Sequence, residues 1–260
     1  MHKGPHQRIV GGTEARPNSY PWMASIQHVL PNKTLSHFCG GTLIRVNDHI
    51  EASDIVVTAA HCLYAQPTHV VLGAHSLTKA SQGQQLVLIS QAVANPQFSS
   101  QTVANDIALL KLQKPVNFTR TIQPACLPSA GEQVAEGGQG TVIGWGLLKE
   151  GTQDYPDKLQ QAVIPVYNMN KCVAHYKTVP AVVDQKIQFC AGYAQGKIDS
   201  CSEDSGGPWL QKNSNGSYVL QGIVSFGDGC ARPDSPGVYV RVSSYIAWIT
   251  NEVKILTSLK

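Results

Sequence analysis

Eight short apolar runs constrain this chain most: "DIVVTAA" at 54–60, "HVVLGAH" at 69–75, "QLVLISQAV" at 85–93, "DIALLKL" at 106–112, "TVIGWG" at 141–146, "QQAVIPV" at 160–166, "YVLQGIVSF" at 218–226 and "GVYVRV" at 237–242. They are rich in Val and Ile, and Gly, Pro, Asn and Ser separate them. β-branched residues suit a pleated surface, and the separators turn the chain back for the next strand. The pattern predicts an all-β sandwich or barrel. Only the tail is helical in pattern. In "SSYIAWITNEVKILTSL" (243–259), Ile246, Ile249, Val253 and Leu256 recur at 3- and 4-residue spacing on one face. Ser243 or Ser244 is placed to cap its start. The segment "LPSAGEQVAEGGQG" (127–140), poor in β-formers and rich in Gly, is the expected linker between two β halves.

The 260 residues, 42% hydrophobic and 14% charged, suffice for a sizeable core in one large domain or two small ones. Lys and Arg total 20 against 17 Asp and Glu, a net +3 with no dense basic block, which disfavours nucleic-acid binding. No apolar run approaches the ~20 residues of a membrane helix. The 7 Cys and the sequons at Asn32, Asn117 and Asn215 favour a secreted, extracellular, glycosylated protein. Residues 1–8, "MHKGPHQR", have no apolar stretch and so are not a signal peptide. They are either the remnant of a trimmed segment or an added start.

Ser205, in "DSGGP" (204–208), is followed by a tight glycine turn that allows close approach of a substrate carbonyl. By itself it is either a turn serine or a nucleophile. A serine hydroxyl attacks only when a base is in reach and a third group orients that base. Among the nine His, His61 stands out, in "VVTAAHC" at the end of an apolar run. It reads as a structural histidine or as the base. Asp106 leads into an apolar run, so burial gives it need of a partner. It closes a turn or orients an imidazole.

Taken together, "TAAHC" (58–62), "DIALLKL" and "DSGGP", in the order His, Asp, Ser, resemble the trypsin-like serine proteases of the chymotrypsin fold. Further matches are "RIVGG" (8–12), "FCGGTLI" (38–44), "GWG" (144–146), "IVSFG" (223–227) and "PGVYVRV" (236–242). The resemblance implies two antiparallel six-stranded β-barrels with the active site in the cleft between them, plus a C-terminal helix. The first barrel then covers about 9–126, the second about 127–243 and the helix about 244–259, after an activation segment at 1–8. It also implies His61 as general base and acid, Asp106 as its orienting group and Ser205 as nucleophile, with the N–H groups of Glu203 and Ser205 as the oxyanion hole. Asp199 is implied at the base of the specificity pocket, with Ser200, Ser225, Gly227 and Gly237 around it. A carboxylate in an apolar slot needs a cation, which points to cleavage after Arg or Lys. Outside that resemblance Asp199 is an ordinary loop aspartate.

The resemblance further implies activation by a protease cutting between Arg8 and Ile9. The freed Ile9 amine would pair with Asp204, so the chain reads as an uncleaved precursor. Implied disulfides are Cys39–Cys62, Cys172–Cys190 and Cys201–Cys230. Cys126 is left over, either unpaired or the mate of a cysteine in an upstream propeptide or light chain. Protein or peptide substrates and protein inhibitors are the implied partners, with no cofactor and no metal. Residues 73–85 hold no Asp or Glu, so the calcium site of some relatives is not expected. Pro236 stands where sodium-activated relatives tend to have tyrosine, so sodium dependence is not expected.

Glu203 is the main departure, because relatives usually have glycine there. Its N–H survives, but a positive φ would add roughly 1–2 kcal/mol of strain. Its side chain is expected to crowd the leaving-group side of the cleft and to slow or narrow cleavage. Residues 43–57 and 28–37 also look extended. The rival reading is a weakly active or inactive homologue that acts as a binding protein.

Overall fold

The computed structural model describes residues 11–46, 51–178, 181–201 and 203–258. A two-residue strand, β1 (Thr13–Glu14), comes first. Then come β2 (Met23–Val29), β3 (Leu35–Ile44), β4 (Ala52–Thr58), β5 (His69–Leu72), β6 (Gln85–Ala94) and β7 (Ala108–Asn117). These six close into an antiparallel barrel in the order β2-β3-β4-β7-β6-β5. Closure pairs β2 with β5, for instance Ile26 opposite Val70, and leaves that barrel without an open edge. Inward residues such as Ile26, Leu43, Val56, Leu72 and Leu110 are wholly buried.

The second half supplies β8 (Gln139–Gly144), β9 (Gln160–Pro165), helix α1 (Met169–Tyr176), β10 (Gln188–Ala191), β11 (Pro208–Lys212), β12 (Tyr218–Phe226) and β13 (Gly237–Arg241). Its six strands form one sheet, and β1 from the start of the chain joins as a seventh, in the order β1-β9-β8-β11-β12-β13-β10. Val166, just past β9, bridges Ala191 of β10, so the sheet curls back on itself. Trp209, Phe189 and Tyr239 fill its interior, with Phe189 stacked on Tyr239 at 5.5 Å. The fold thus fits the expected two-barrel arrangement, with the added edge strand coming from the first half.

Helix α2 (Ile246–Ser258) ends the described chain. Its expected apolar face holds: Ile249 and Leu256 are buried, and Ile246 and Val253 pack on the same core. Neither serine caps it. Both lie in a 3₁₀ turn, Val242–Ser244, with Tyr245 between them and the helix. Their hydroxyls donate instead to the carbonyls of Glu132 at 2.6 Å and Lys186 at 2.7 Å. Helix α1 is a second departure. It is too short for periodicity to reveal, and Asn168 caps it by accepting from Lys171 N at 2.9 Å.

The two halves meet through glycine. A Cβ on Gly40 of β3 would lie 2.8 Å from Gly207 Cα. Gly206 has φ +77°, and its Cβ would lie 2.1 Å from Thr58 Oγ1. Any side chain at these points would separate the halves, and only glycine accepts that φ freely.

Candidate active site

His61 sits in a 3₁₀ turn, Ala60–Ala65, entered from the end of β4. The Cys39–Cys62 disulfide fastens that turn to β3. Asp106 lies just ahead of β7 and is wholly buried. Tyr245 OH donates to Asn105 Oδ1 at 2.9 Å and steadies the approach to it. Asp106 accepts three hydrogen bonds: from His61 N at 2.9 Å, from His61 Nδ1 at 2.8 Å and from Ser225 Oγ at 2.6 Å. A carboxylate beside Nδ1 puts the ring proton there and leaves the Nε2 lone pair free to accept one.

Ser205 comes from the loop between β10 and β11. Its carbonyl accepts from Gly40 N at 2.8 Å. Cys62 Sγ lies 3.7 Å from that carbonyl and 4.0 Å from His61 Nε2, so the imidazole and the Ser205 backbone flank one sulfur atom. Cys39, His61 and Cys62 cluster within 4.8 Å, but a disulfide holds both sulfurs and leaves no thiolate for a metal. Asp204, one residue before Ser205, is buried. It accepts from Gly146 N at 2.8 Å and Cys201 N at 3.0 Å, and burial raises its pKa to about 6. Arg8 and Ile9 lie outside the described residues.

A pocket of about 340 Å³ brings Asp199, Ser200, Ser225, Gly227 and Gly237 together with Ser205. Asp199 is buried at 3% exposure. Its Oδ2 accepts from Ala231 N at 3.1 Å, while among the described residues Oδ1 has no partner. Burial raises its pKa to about 7, opposed by backbone hydrogen bonds from Ala231 and Ser200. A Cβ on Gly237 would lie 3.2 Å from Asp199 Oδ1, so glycine keeps the carboxylate open to the pocket. The Cys201–Cys230 disulfide joins the Ser205 loop to the pocket's far wall. Cys172–Cys190 also forms, which completes the three expected pairs.

Sequence reasoning missed Glu150, which lines the same pocket. Arg232 grips it through Nε at 3.0 Å and Nη2 at 2.6 Å. These residues are 82 apart, and opposite charge is the only signal that could have linked them. Ser225 has a second use beyond lining the pocket, its bond to Asp106. Asp157 was missed too: it ties down the 73–85 segment by accepting from Ser76 Oγ at 2.9 Å and Thr78 Oγ1 at 2.7 Å.

Glu203 has φ +71°, the strained region open to glycine. It lines a second cavity of about 510 Å³ with His37, Leu77, Leu86 and Tyr155. Burial raises its carboxyl pKa, opposed by the Tyr155 hydroxyl. Cys126 is an exposed free thiol. Asn32, Asn117 and Asn215 are all exposed. Among the described residues, no helix is long and apolar enough to cross a membrane.

A family model described as Trypsin matches residues 9–249. The matched span holds both sheets, all three disulfides and every side chain of the cleft described above. The chain therefore belongs to the trypsin family of serine proteases, hydrolases that act on proteins.

Proposed function

We propose that this chain is a secreted serine endopeptidase that cleaves after Arg or Lys. The observation that carries this reading is Asp199: a buried carboxylate with one oxygen unpartnered among the described residues, in a pocket shared with Ser205. A substrate guanidinium or ammonium supplies the missing charge. Ser205 Oγ attacks the scissile carbonyl while His61 Nε2 takes its proton. Asp106 stabilises the imidazolium that results. The N–H groups of Glu203 and Ser205 receive the oxyanion, each worth about 3–4 kcal/mol. His61 returns its proton to the leaving amine, and an acyl-enzyme remains on Ser205. Water activated by His61 then releases the acid and restores the hydroxyl.

The reading includes a precursor activated by cleavage between Arg8 and Ile9. Asp204 supports it, because this buried carboxylate is met by backbone N–H groups. An α-amine with a reference pKa near 7.7–8.0 would supply the cation and order the loop. Exposed Cys126 suits a disulfide to an upstream segment or separate chain, and the exposed sequons suit glycans. The reading takes residues 9–260 as the protease domain.

The experiment is to cleave after Arg8 and assay a small arginine amide, with Ser205→Ala as control. Turnover well above the control is expected. Turnover equal to it favours the second reading, a weakly active or inactive homologue that binds proteins. The strained backbone of Glu203 is the observation behind that alternative.

A further inference from the structure

The wall of the pocket around Asp199 holds a strained residue at the point where it meets that carboxylate. Ala231 has φ +54°, a conformation that disfavours any side chain. It carries the N–H that donates to Asp199 Oδ2 at 3.1 Å. Of the described groups that oppose burial and favour the ionised form of Asp199, this N–H is the strongest. The Ala231 carbonyl accepts from Lys197 N at 2.9 Å. The next residue, Arg232, reaches Glu150 through Nε at 3.0 Å and Nη2 at 2.6 Å. A strained backbone persists only where its surroundings hold it, and these two contacts lie on either side of the Ala231 carbonyl carbon in the chain.

Glu150 is brought there by a tight loop, closed where Leu148 N donates to the Asp154 carbonyl at 3.1 Å. Its carboxyl accepts from the Arg232 guanidinium and from Cys230 N, and both bonds lower its pKa. The pair lies over Gly229, which lines the pocket. A Cβ on Gly229 would lie 2.5 Å from Arg232 Cζ and 2.7 Å from Glu150 Oε1. One salt bridge therefore covers Gly229, bonds Cys230 and adjoins Ala231, three successive residues of the wall. Arg232 Nη1 also faces Asp228 Oδ1, at 3.5 Å. We propose that the Glu150–Arg232 pair is a latch that positions the Ala231 N–H on Asp199, and so sets how tightly the pocket holds a cation. Both are positioning residues, acting through Ala231. The latch works through Asp199, so it rests on the proposed pairing of that carboxylate with the substrate's charge.

The test uses the full chain cleaved after Arg8, with calorimetry of benzamidinium binding and steady-state turnover of an arginine amide. The pair is about half exposed, which bounds its worth. Glu150→Gln and Arg232→Gln are each expected to weaken benzamidinium binding about three- to fivefold. KM for the amide should rise by the same factor while kcat stays within about twofold of native. Arg232→Lys keeps the charge but loses the planar fork, and should recover part of the loss. The signs separate a latch from charge acting through space. Through space, losing the positive Arg232 would strengthen the binding of a cation, and losing the negative Glu150 would weaken it. A latch weakens it in both variants. Opposite shifts, no shift in either variant, or an equal fall in kcat overturns the latch, while native binding of benzamidinium leaves the Asp199 reading standing. A native enzyme that binds no benzamidinium overturns that reading, and the latch with it.

Discussion

Asp106, held by His61, and Asp199, in the pocket that Ser205 also lines, are both buried carboxylates, yet their surroundings differ. Asp106 accepts three hydrogen bonds, two of them from His61 and one from Ser225. Asp199 keeps one oxygen without a partner among the described residues, and burial lifts its pKa to about 7. A carboxylate with a full set of donors is held in one orientation by them. One with too few stays poised between charge states until a cation arrives. Under the proposed function, the first group organises the chemistry and the second selects what the chemistry acts on.

The largest expected effect tests the Asp106 side. Asp106→Asn keeps the shape but permits the wrong imidazole tautomer, and kcat should fall about 10⁴-fold in the cleaved enzyme. Steady-state turnover of an arginine amide measures it, and a fall of less than tenfold would remove Asp106 from the mechanism. The next effect belongs to Asp199. Only its ionised form attracts a cation, so benzamidinium should bind about 100-fold more weakly at pH 5 than at pH 8, the loss beginning as pH drops through about 7. Calorimetry across that range reads the slope. Asp204, with a pKa of about 6, should steepen it at the acid end.

Stability should move in opposite directions at the two sites. Because Asp199 has a folded pKa above its unfolded value, the folded state holds a proton more tightly than the unfolded chain. Stability therefore falls as pH rises from about 4 to about 7 and is level above that. Asp199→Asn should raise stability at pH 8 by up to about 4 kcal/mol and change it little at pH 4. Asp106→Asn should lower it by about 1–3 kcal/mol, because a buried donor loses its acceptor. Denaturant unfolding of both variants checks the pair, and a shared sign would break the comparison. The smallest effect is at Glu203. Replacing it with glycine relieves a positive φ, and should raise arginine-amide turnover and the affinity of a bulky protein inhibitor about fivefold, equivalent to roughly 1 kcal/mol. No change in either would clear Glu203 of any part in selectivity.

Much of this was legible in the sequence because local motifs bring distant residues together. "TAAHC", "DIALLKL" and "DSGGP" each mark a strand end or loop that reaches the cleft, and the cysteine pairs follow from the same resemblance. The rest depends on contacts that no local pattern records. Ser225 meets Asp106 across 119 residues, and Arg232 meets Glu150 across 82. Helix α1 spans too few residues for a period to show. Ser243 and Ser244 carry suitable cap chemistry, but the 3₁₀ turn places them too early to use it. The φ of Glu203 turned a conditional cost into an actual one.

The most direct measurement compares kcat/KM for paired peptide amides with Arg or Leu before the scissile bond, using the chain cleaved after Arg8 and its Asp199→Ser variant. Removing one partner of a buried ion pair costs about 3–5 kcal/mol. The native enzyme should therefore prefer Arg by about 10³-fold, and the variant should bring the two substrates within about tenfold. A native preference for Leu, or an Arg preference that survives the loss of Asp199, would contradict the assignment of Asp199 as the substrate's counter-charge.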